Sequence, residues 1–218
     1  MKNIIKKDIE KIYLRYKNKR RAIFAICFVV VGMLYLFKNV SFLIRALSTI
    51  GLLVSFYLID HLFEIDFKDR HYVFIVVIAF SSFLLSPLYF VHPQYDKVQH
   101  LIQPIMIASM VYYMIRHLDI KDKWKLMAVF FIVMGLVGLH EIGEYWLDQY
   151  FNLKLQGVFL RDPQGLEKYG LLLNRLDDTM IDMSLGTLGA GIYAFVVYYH
   201  KRYQLKKMTI KSFSDKKN

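Results

Sequence analysis

The sequence predicts an all-α membrane protein, a six-transmembrane-helix bundle with both termini in the cytoplasm. Hydrophobic residues make up 56% of its 218 residues. They occur in long runs that approach the roughly 20 residues needed to cross a bilayer core. Lys and Arg crowd the ends of these runs, as is typical of cytoplasmic loops, so the net charge of +11 does not indicate a nucleic-acid partner. The lone Cys27 excludes an internal disulfide and a Cys-based zinc site.

A single predicted transmembrane domain, residues 22–199, lies between a basic N-terminal segment (1–21) and a basic tail (200–218). Its predicted spans are 22–38, 41–60, 72–91, 97–116, 124–147 and 178–199. With both termini inside, the connections that lie outside are 39–40, 92–96 and 148–177. No small-residue cleavage site follows the first apolar run, so we interpret that run as a retained span. The N-terminal segment is either an interfacial helix on anionic lipid or a simple positive-inside anchor.

The fifth predicted span ends in ionisable residues, which are costly at membrane depth and therefore indicate a functional site. Residues 138–148 read GLHEIGEYWLD. Glu141, Glu144 and Asp148 are spaced so that they share one helical face. His140 precedes them and is either a ligand or a structural hydrogen-bond partner.

Two other predicted spans begin with ionisable pairs near the same membrane boundary. Asp96 and His100 lie one helical turn apart at the start of the fourth span. Asp178 and Asp182 have the same spacing at the start of the sixth. His100, Asp182 and Glu144 would each lie about one turn, ~5.4 Å, inside the outer boundary. We expect these groups to face one another in the bundle interior, because facing lipid would be costly.

Several acidic residues also have a plainer interpretation. Asp96 and Asp178, each taken alone, are ordinary helix N-terminal caps. Asp148 is expected to be a solvated rim residue. Four ionisable residues at the inner boundary are expected to lie in a solvated loop. They are Asp60, His61, Glu64 and Asp66.

Five other positions bear on the predicted cluster. Gln103 continues the polar face of the fourth span. Gly186 and Gly189 below the acidic pair of the sixth span, and Gly138 below Glu141, would let the helices pack closely. Arg45, near the outer end of the second span, is either a counter-charge for the cluster or a residue that snorkels to the outer headgroups.

Carboxylates and imidazoles from separate helices are the usual ingredients of a metal site in a helix bundle. Oxygen ligands suit Mg²⁺, Mn²⁺ or Ca²⁺, and added histidine makes Zn²⁺ suitable. The predicted metal ligands are His100, His140, Glu144 and Asp182. The predicted catalytic residues, as ligands or acid–base groups, are His100, Glu141, Glu144 and Asp182. The predicted substrate-binding residues are Asp96, Asp178, Arg45 and Gln103.

Three classes of function fit such a cluster. The first is a metal-dependent enzyme that acts at the outer leaflet on a lipid or lipid-linked phosphate. The second is a non-catalytic scaffold protein that binds an envelope precursor. The third is a proton-coupled transporter, although the polar groups gather at one boundary and no inverted repeat is present. The oligomeric state is not predicted by any of these patterns.

The ordered motifs of the last three spans resemble a known family. They are Tyr95-Asp96-Lys97-x-x-His100, Glu141-x-x-Glu144-x-Trp146 and Asp178-Thr179-x-x-Asp182-Met183, and they cover roughly residues 95–190. This pattern resembles the YjdF-like family of bacterial and archaeal inner-membrane proteins and, more loosely, VanZ-like proteins. The resemblance implies a multi-pass protein of a prokaryotic inner or plasma membrane. It places the family's recurring polar positions on Asp96, His100, Glu141, Glu144, Asp178 and Asp182.

Overall fold

The computed structural model describes residues 2–36, 40–92, 94–151, 155–161 and 169–215, most of which are helical. The chain divides into two compact units, Met1–Ser86 and Pro87–Asn218. The prediction of an α-helical protein is confirmed, with one short β-hairpin in addition. Some predicted features lie outside the described residues. They are residue 1, the end of the first predicted span with residue 39 (37–39), residue 93 of the 92–96 connection, residues 152–154 and 162–168 of the 148–177 connection, and the last three residues of the tail.

Among the described residues, four helical segments are long and apolar enough to cross a membrane. They are Phe42–Leu62, Gln94–Ile115, Asp122–Phe151 and Arg175–Met208. These segments correspond to the second, fourth, fifth and sixth predicted spans. Large apolar side chains such as Phe131, Leu139 and Phe195 are exposed on them, as expected for surfaces that face lipid rather than water.

In the first unit, helix α1 (Lys2–Leu36) packs against α2 (Val40–Leu62). Helix α1 is continuous over 35 residues, so the basic N-terminal segment and the first predicted span share one helix. Its apolar part begins near residue 22 and rises only ~22 Å before residue 36, at about 1.5 Å per residue. That length is short of a bilayer core of about 30 Å, so α1 is not among the four segments.

The third predicted span is not one continuous α-helix. Helix α3 (Asp69–Ala79) continues as a π-helical turn, Phe80–Leu84, and a 3₁₀ turn, Ser86–Phe90. The Ser81 hydroxyl bonds the Val77 carbonyl at 2.7 Å, as serine often does where a helix bends. Pro87 stands inside the 3₁₀ turn, where it has no N–H with which to continue an α-helical hydrogen-bond ladder.

Asp60, at the end of α2, is fully buried, so the prediction that it lies in a solvated loop is wrong. Its carboxylate accepts hydrogen bonds from the Lys19 ammonium at 3.1 Å, the Tyr72 hydroxyl at 2.5 Å and the Phe67 amide at 2.9 Å. The same ammonium lies 3.1 Å from Asp66. The acid is buried because the chain turns back over the end of α2, where it is satisfied by partners from three segments.

In the second unit, the helices α4 (Gln94–Ile115), α5 (Asp122–Phe151) and α6 (Arg175–Asp215) pack against one another. Their shared apolar core consists of Ala108, Val129, Val133, Val137 and Ala190. Between α5 and α6 the chain forms an antiparallel hairpin of β1 (Val158–Arg161) and β2 (Tyr169–Leu173), in which Leu160 pairs with Gly170. All candidate residues predicted on the last three spans therefore belong to one unit.

Two glycines allow α6 to approach its neighbours closely, as predicted. A Cβ atom at Gly189 would collide with the Leu101 carbonyl oxygen of α4. A Cβ atom at Gly186 would lie 2.8 Å from a γ-carbon of Val137 on α5. A Cβ atom at Gly138 would meet no other group within 4 Å, so the predicted packing role of Gly138 is wrong.

Candidate ion-pair and metal site

The acidic face of α6 is buried against α4. Asp178 and Asp182 lie one turn apart, and each is only 1% exposed. Gly186 and Gly189 continue the same face, so the close helix contacts begin one turn below the acids. Asp178 is therefore more than an ordinary cap, since its carboxylate is packed between two helices and a loop.

Lys97 of α4 holds the centre of this acidic group. Its ammonium lies 2.7 Å from one oxygen of Asp182 and 2.8 Å from the other. It also contacts Asp178 and lies 3.1 Å from Asp96. We call Lys97 and these three aspartates the lysine cage. One ammonium with three carboxylates leaves this region negatively charged before any further cation or proton is counted.

Lys97 is the principal residue of this site that was not predicted as a metal-binding, catalytic or substrate-binding residue. A signal for it was present. Lys97 stands in the first turn of a membrane helix, where the helix dipole disfavours a cation. A lysine at that place therefore suggests local acidic partners, but only the packing of α4 on α6 identifies them as Asp178 and Asp182.

His100 joins the lysine cage to α5. Its Nε2 atom lies 3.4 Å from Asp96 and 4.0 Å from Asp182. Its Nδ1 atom lies 3.7 Å from Glu141 Oε1. One imidazole thus faces carboxylates of three helices, as the spacing of the ionisable pairs predicted.

His140 and Glu144 extend the site along α5. The His140 Nε2 atom lies 3.4 Å from Glu144 Oε1, and the His140 ring lies 5.5 Å from the His100 ring between centroids. One ligand atom from each of these residues lies within 4.8 Å of the other two. We call His100, His140 and Glu144 the imidazole set. Two imidazoles and a carboxylate are a donor set that suits Zn²⁺ or Mn²⁺.

The two histidines differ in environment. His100 is buried, whereas the His140 side chain is 57% exposed. Asp96, His100 and Asp182 form a second candidate set whose ligand atoms also lie within 4.8 Å of one another. The structure therefore places His100 in both sets, and it pairs Asp182 with the lysine cage rather than with Glu144.

Glu141 presents an unsatisfied carboxylate oxygen to the site. The residue is only 4% exposed, and its Oε1 atom is the buried side-chain oxygen that lacks a hydrogen bond in the part of the chain that the structure describes. Leaving such an atom unpaired costs about 1–3 kcal/mol, more when it is charged. A proton or a bound cation would remove that cost.

Asp148 anchors the loop that follows α5. It is 5% exposed, and its two carboxylate oxygens accept hydrogen bonds from the amides of Leu155 at 2.7 Å and Gln156 at 2.9 Å. The prediction that Asp148 is a solvated rim residue is therefore wrong. The next amide, of Gly157, donates to Asp178 at 2.7 Å. The loop is thus held by acids from two helices, one of which belongs to the lysine cage.

Two predicted substrate-binding residues, Gln103 and Arg45, have contacts of their own. Gln103 donates from its amide nitrogen to the side-chain oxygen of Gln99, at 2.8 Å on the same helix. Arg45 belongs to the first unit, where its guanidinium lies 5.6 Å from the ring centroid of Phe42. Both predicted roles in substrate binding stay predictions.

Residues 19–203 match a protein family described as predicted membrane protein (DUF2238). The match covers most of each unit and the entire candidate site. It agrees with a resemblance to YjdF-like membrane proteins, and it supplies no link to VanZ-like proteins. No curated protein and no solved structure was found to be similar to the chain.

Proposed function

Because the chain belongs to the DUF2238 family of predicted membrane proteins, we propose that it is a multi-pass protein of a prokaryotic cell membrane with six spans and cytoplasmic termini. Four of the six proposed spans correspond to helices of the described residues that are long and apolar enough to cross a membrane. The basic residues at the other end of α4 and α5, such as Arg116, Lys121 and Lys123, favour a cytoplasmic location for that end. The candidate site then faces the outer leaflet. A cysteine introduced by Asp177→Cys should react with an impermeant maleimide from outside the cell.

The imidazole set is the proposed binding site for one divalent metal ion. The observation that carries this proposal is the convergence of His100, His140 and Glu144 beside the Oε1 atom of Glu141, which has no hydrogen bond from the described residues. Carboxylates buried without enough cations are expensive at membrane depth, and a divalent ion would compensate their charge. The donor set favours Zn²⁺ or Mn²⁺, and Mg²⁺ would need more oxygen ligands.

The proposed activity is the metal-dependent turnover of a lipid or lipid-linked phosphate. A bound metal would polarise a phosphoryl oxygen or activate water. Glu141 is the proposed proton acceptor, because its buried Oε1 atom has no hydrogen bond and lies beside the imidazole set. At the outer leaflet, the headgroups of membrane lipids lie at the depth of these residues.

Metal content tests the proposal directly. The protein should be purified in detergent from cells grown with added Zn²⁺ and Mn²⁺, and its metal measured by mass spectrometry. We expect one equivalent in the wild type and less than a tenth of that in Glu144→Gln. Asp177→Asn is the matched control, since Asp177 is exposed and sits at the same end of the bundle. A wild-type protein that carries no metal, with a melting temperature unchanged by chelator, would refute the metal site.

Activity and transport assays separate the three classes of function. Metal-loaded wild type that hydrolyses lipid phosphates, with loss of turnover in Glu141→Gln, supports the enzyme. Stoichiometric metal and tight lipid binding without turnover would support the scaffold instead. Proton flux in proteoliposomes that is abolished by Asp182→Asn would support the transporter.

A further inference from the structure

The lysine cage has the composition of a cation site whose cation is part of the chain. Three carboxylates from two helices converge on the Lys97 ammonium, and two of them are almost completely buried. Asp182 offers both of its oxygens to that ammonium, at 2.7 and 2.8 Å. Hard divalent cations such as Mn²⁺ and Mg²⁺ prefer oxygen ligands of this kind.

A second observation also points to a cation beside this cage. Asp96, His100 and Asp182 can each direct one ligand atom to a common point, with those atoms within 4.8 Å of one another. Glu141 Oε1, buried and without a hydrogen bond, lies 3.7 Å from the Nδ1 atom of the same His100. A carboxylate oxygen that has no hydrogen bond from the described residues lies on one side of the imidazole, and several carboxylates crowd the other side. We interpret these as two adjacent cation positions.

We propose that the Lys97 ammonium occupies the cation position formed by the carboxylates of the lysine cage. In that position it excludes a divalent metal from those carboxylates. A tethered ammonium neutralises only one charge and cannot act as a Lewis acid. Lys97 therefore determines how many divalent ions the protein binds. The expected count of one divalent ion per wild-type chain rests on the proposed metal site. The proposal that Lys97 occupies the cage does not rest on that site.

Mn²⁺ binding to Lys97→Met tests this proposal. Methionine has a similar length and volume but no charge, so the cage loses its cation with little change in packing. After equilibrium dialysis of the detergent-purified protein, Lys97→Met should bind one more Mn²⁺ per chain than the wild type. The additional ion should be lost in the double variant Lys97→Met/Asp182→Asn, which lacks one of the carboxylates.

The difference between variants keeps this test separate from the test of the metal site. If the imidazole set binds no metal, the count should rise from zero to one; if it does bind metal, the count should rise from one to two. A folded Lys97→Met protein with the same Mn²⁺ count as the wild type would overturn the proposal in either case. His140→Ala in the Lys97→Met background should remove the first ion and leave the additional one.

Chemical rescue provides a second measurement in case Lys97→Met does not fold. Lys97→Ala leaves space in the cage for a small alkylammonium ion. Methylammonium at tens of millimolar should raise the melting temperature of Lys97→Ala by several degrees and should compete with Mn²⁺. Tetramethylammonium is the control, because it has no N–H groups to donate to the carboxylates. Equal effects of the two ions on Lys97→Ala would contradict the proposal.

Discussion

Gly186 is the position where one added methyl group is expected to push two helices of the candidate site apart. A Cβ atom there would lie 2.8 and 2.9 Å from the two γ-carbons of Val137 and 3.4 Å from its Cβ. Carbon atoms in contact normally lie about 3.5–4.0 Å apart, so α5 and α6 would have to separate by roughly 0.7–1 Å. Rotation of the Val137 side chain gives little relief, because all three of its carbons lie close to the new atom.

The cost of Gly186→Ala can be bounded from two opposing effects. Overpacking of a close interface typically costs about 1–3 kcal/mol. Alanine also favours the helix over glycine by roughly 1 kcal/mol, which would partly hide that cost. Gly138→Ala is the matched control, because its Cβ meets nothing within 4 Å and it reports the helix preference alone. Gly186→Ala should therefore have a free energy of unfolding about 1–3 kcal/mol below that of Gly138→Ala.

The assay is unfolding by SDS in mixed micelles, followed by circular dichroism. Val137→Ala removes the two colliding γ-carbons, so in that background the two glycine variants should agree within about 0.5 kcal/mol. Val137 lies one turn from Glu141, and Gly186 lies one turn from Asp182, so Gly186→Ala should also weaken metal binding. Equal unfolding of Gly186→Ala and Gly138→Ala in the wild-type background would refute the close approach of α5 and α6.

Three further substitutions test the buried acids and the tyrosine beside them. Asp60→Asn should lower the free energy of unfolding by about 1.5–3 kcal/mol, because it removes the charge of the fully buried one of the two carboxylates that lie 3.1 Å from the Lys19 ammonium; Asp119→Asn, at an exposed position, should change it little. Asp148→Asn can keep only one of the two amide hydrogen bonds that the carboxylate accepts, so hydrogen exchange at residues 155 and 156 should accelerate. The free energy of unfolding should fall by about 1–3 kcal/mol. Unchanged exchange would mean that the carboxylate does not hold the loop. Burial, reinforced by nearby carboxylates, raises the pKa of Tyr16 from 10.0 to about 12. The folded state holds this proton more tightly, so the stabilisation is complete below pH 10 and is lost as pH rises through 12, and Tyr16→Phe should reduce the alkaline loss of stability measured by thermal melting.

The helices and the site were predictable from local patterns to different degrees. Apolar runs of span length predicted α2, α4, α5 and α6 because burial in lipid requires a fixed length of helix. Those patterns did not predict that the third run would break into three segments, which depends on the local backbone geometry around Ser81 and Pro87. The hairpin after α5 was not predicted either, because its strands are short and outside any apolar run.

Some of the buried ionisable residues were likewise predictable from local patterns, and others were not. Helical spacing placed Asp96 with His100 and Asp178 with Asp182, and both pairs lie in the site as expected. The burial of Asp60 and Asp148 was missed, because each is buried by a loop that folds back over its helix end. The local sequence around a carboxylate at a helix end does not distinguish one that is surrounded by water from one that is surrounded by backbone amides.

For this chain, one-dimensional patterns were sufficient to establish a membrane protein with ionisable groups at one end of three helices. Length, hydropathy and helical spacing carry that information, because each depends on residues close together in the chain. The partners of those groups depended on tertiary packing. The close approach of α6 to α4 and α5 brought Lys97 to Asp178 and Asp182, and it brought His100 between Asp96 and Glu141. Ion pairs form through space, between groups a few ångströms apart. Lys97 and its two aspartate partners on α6 are more than eighty positions apart in the chain, so these ion pairs form only when the helices pack.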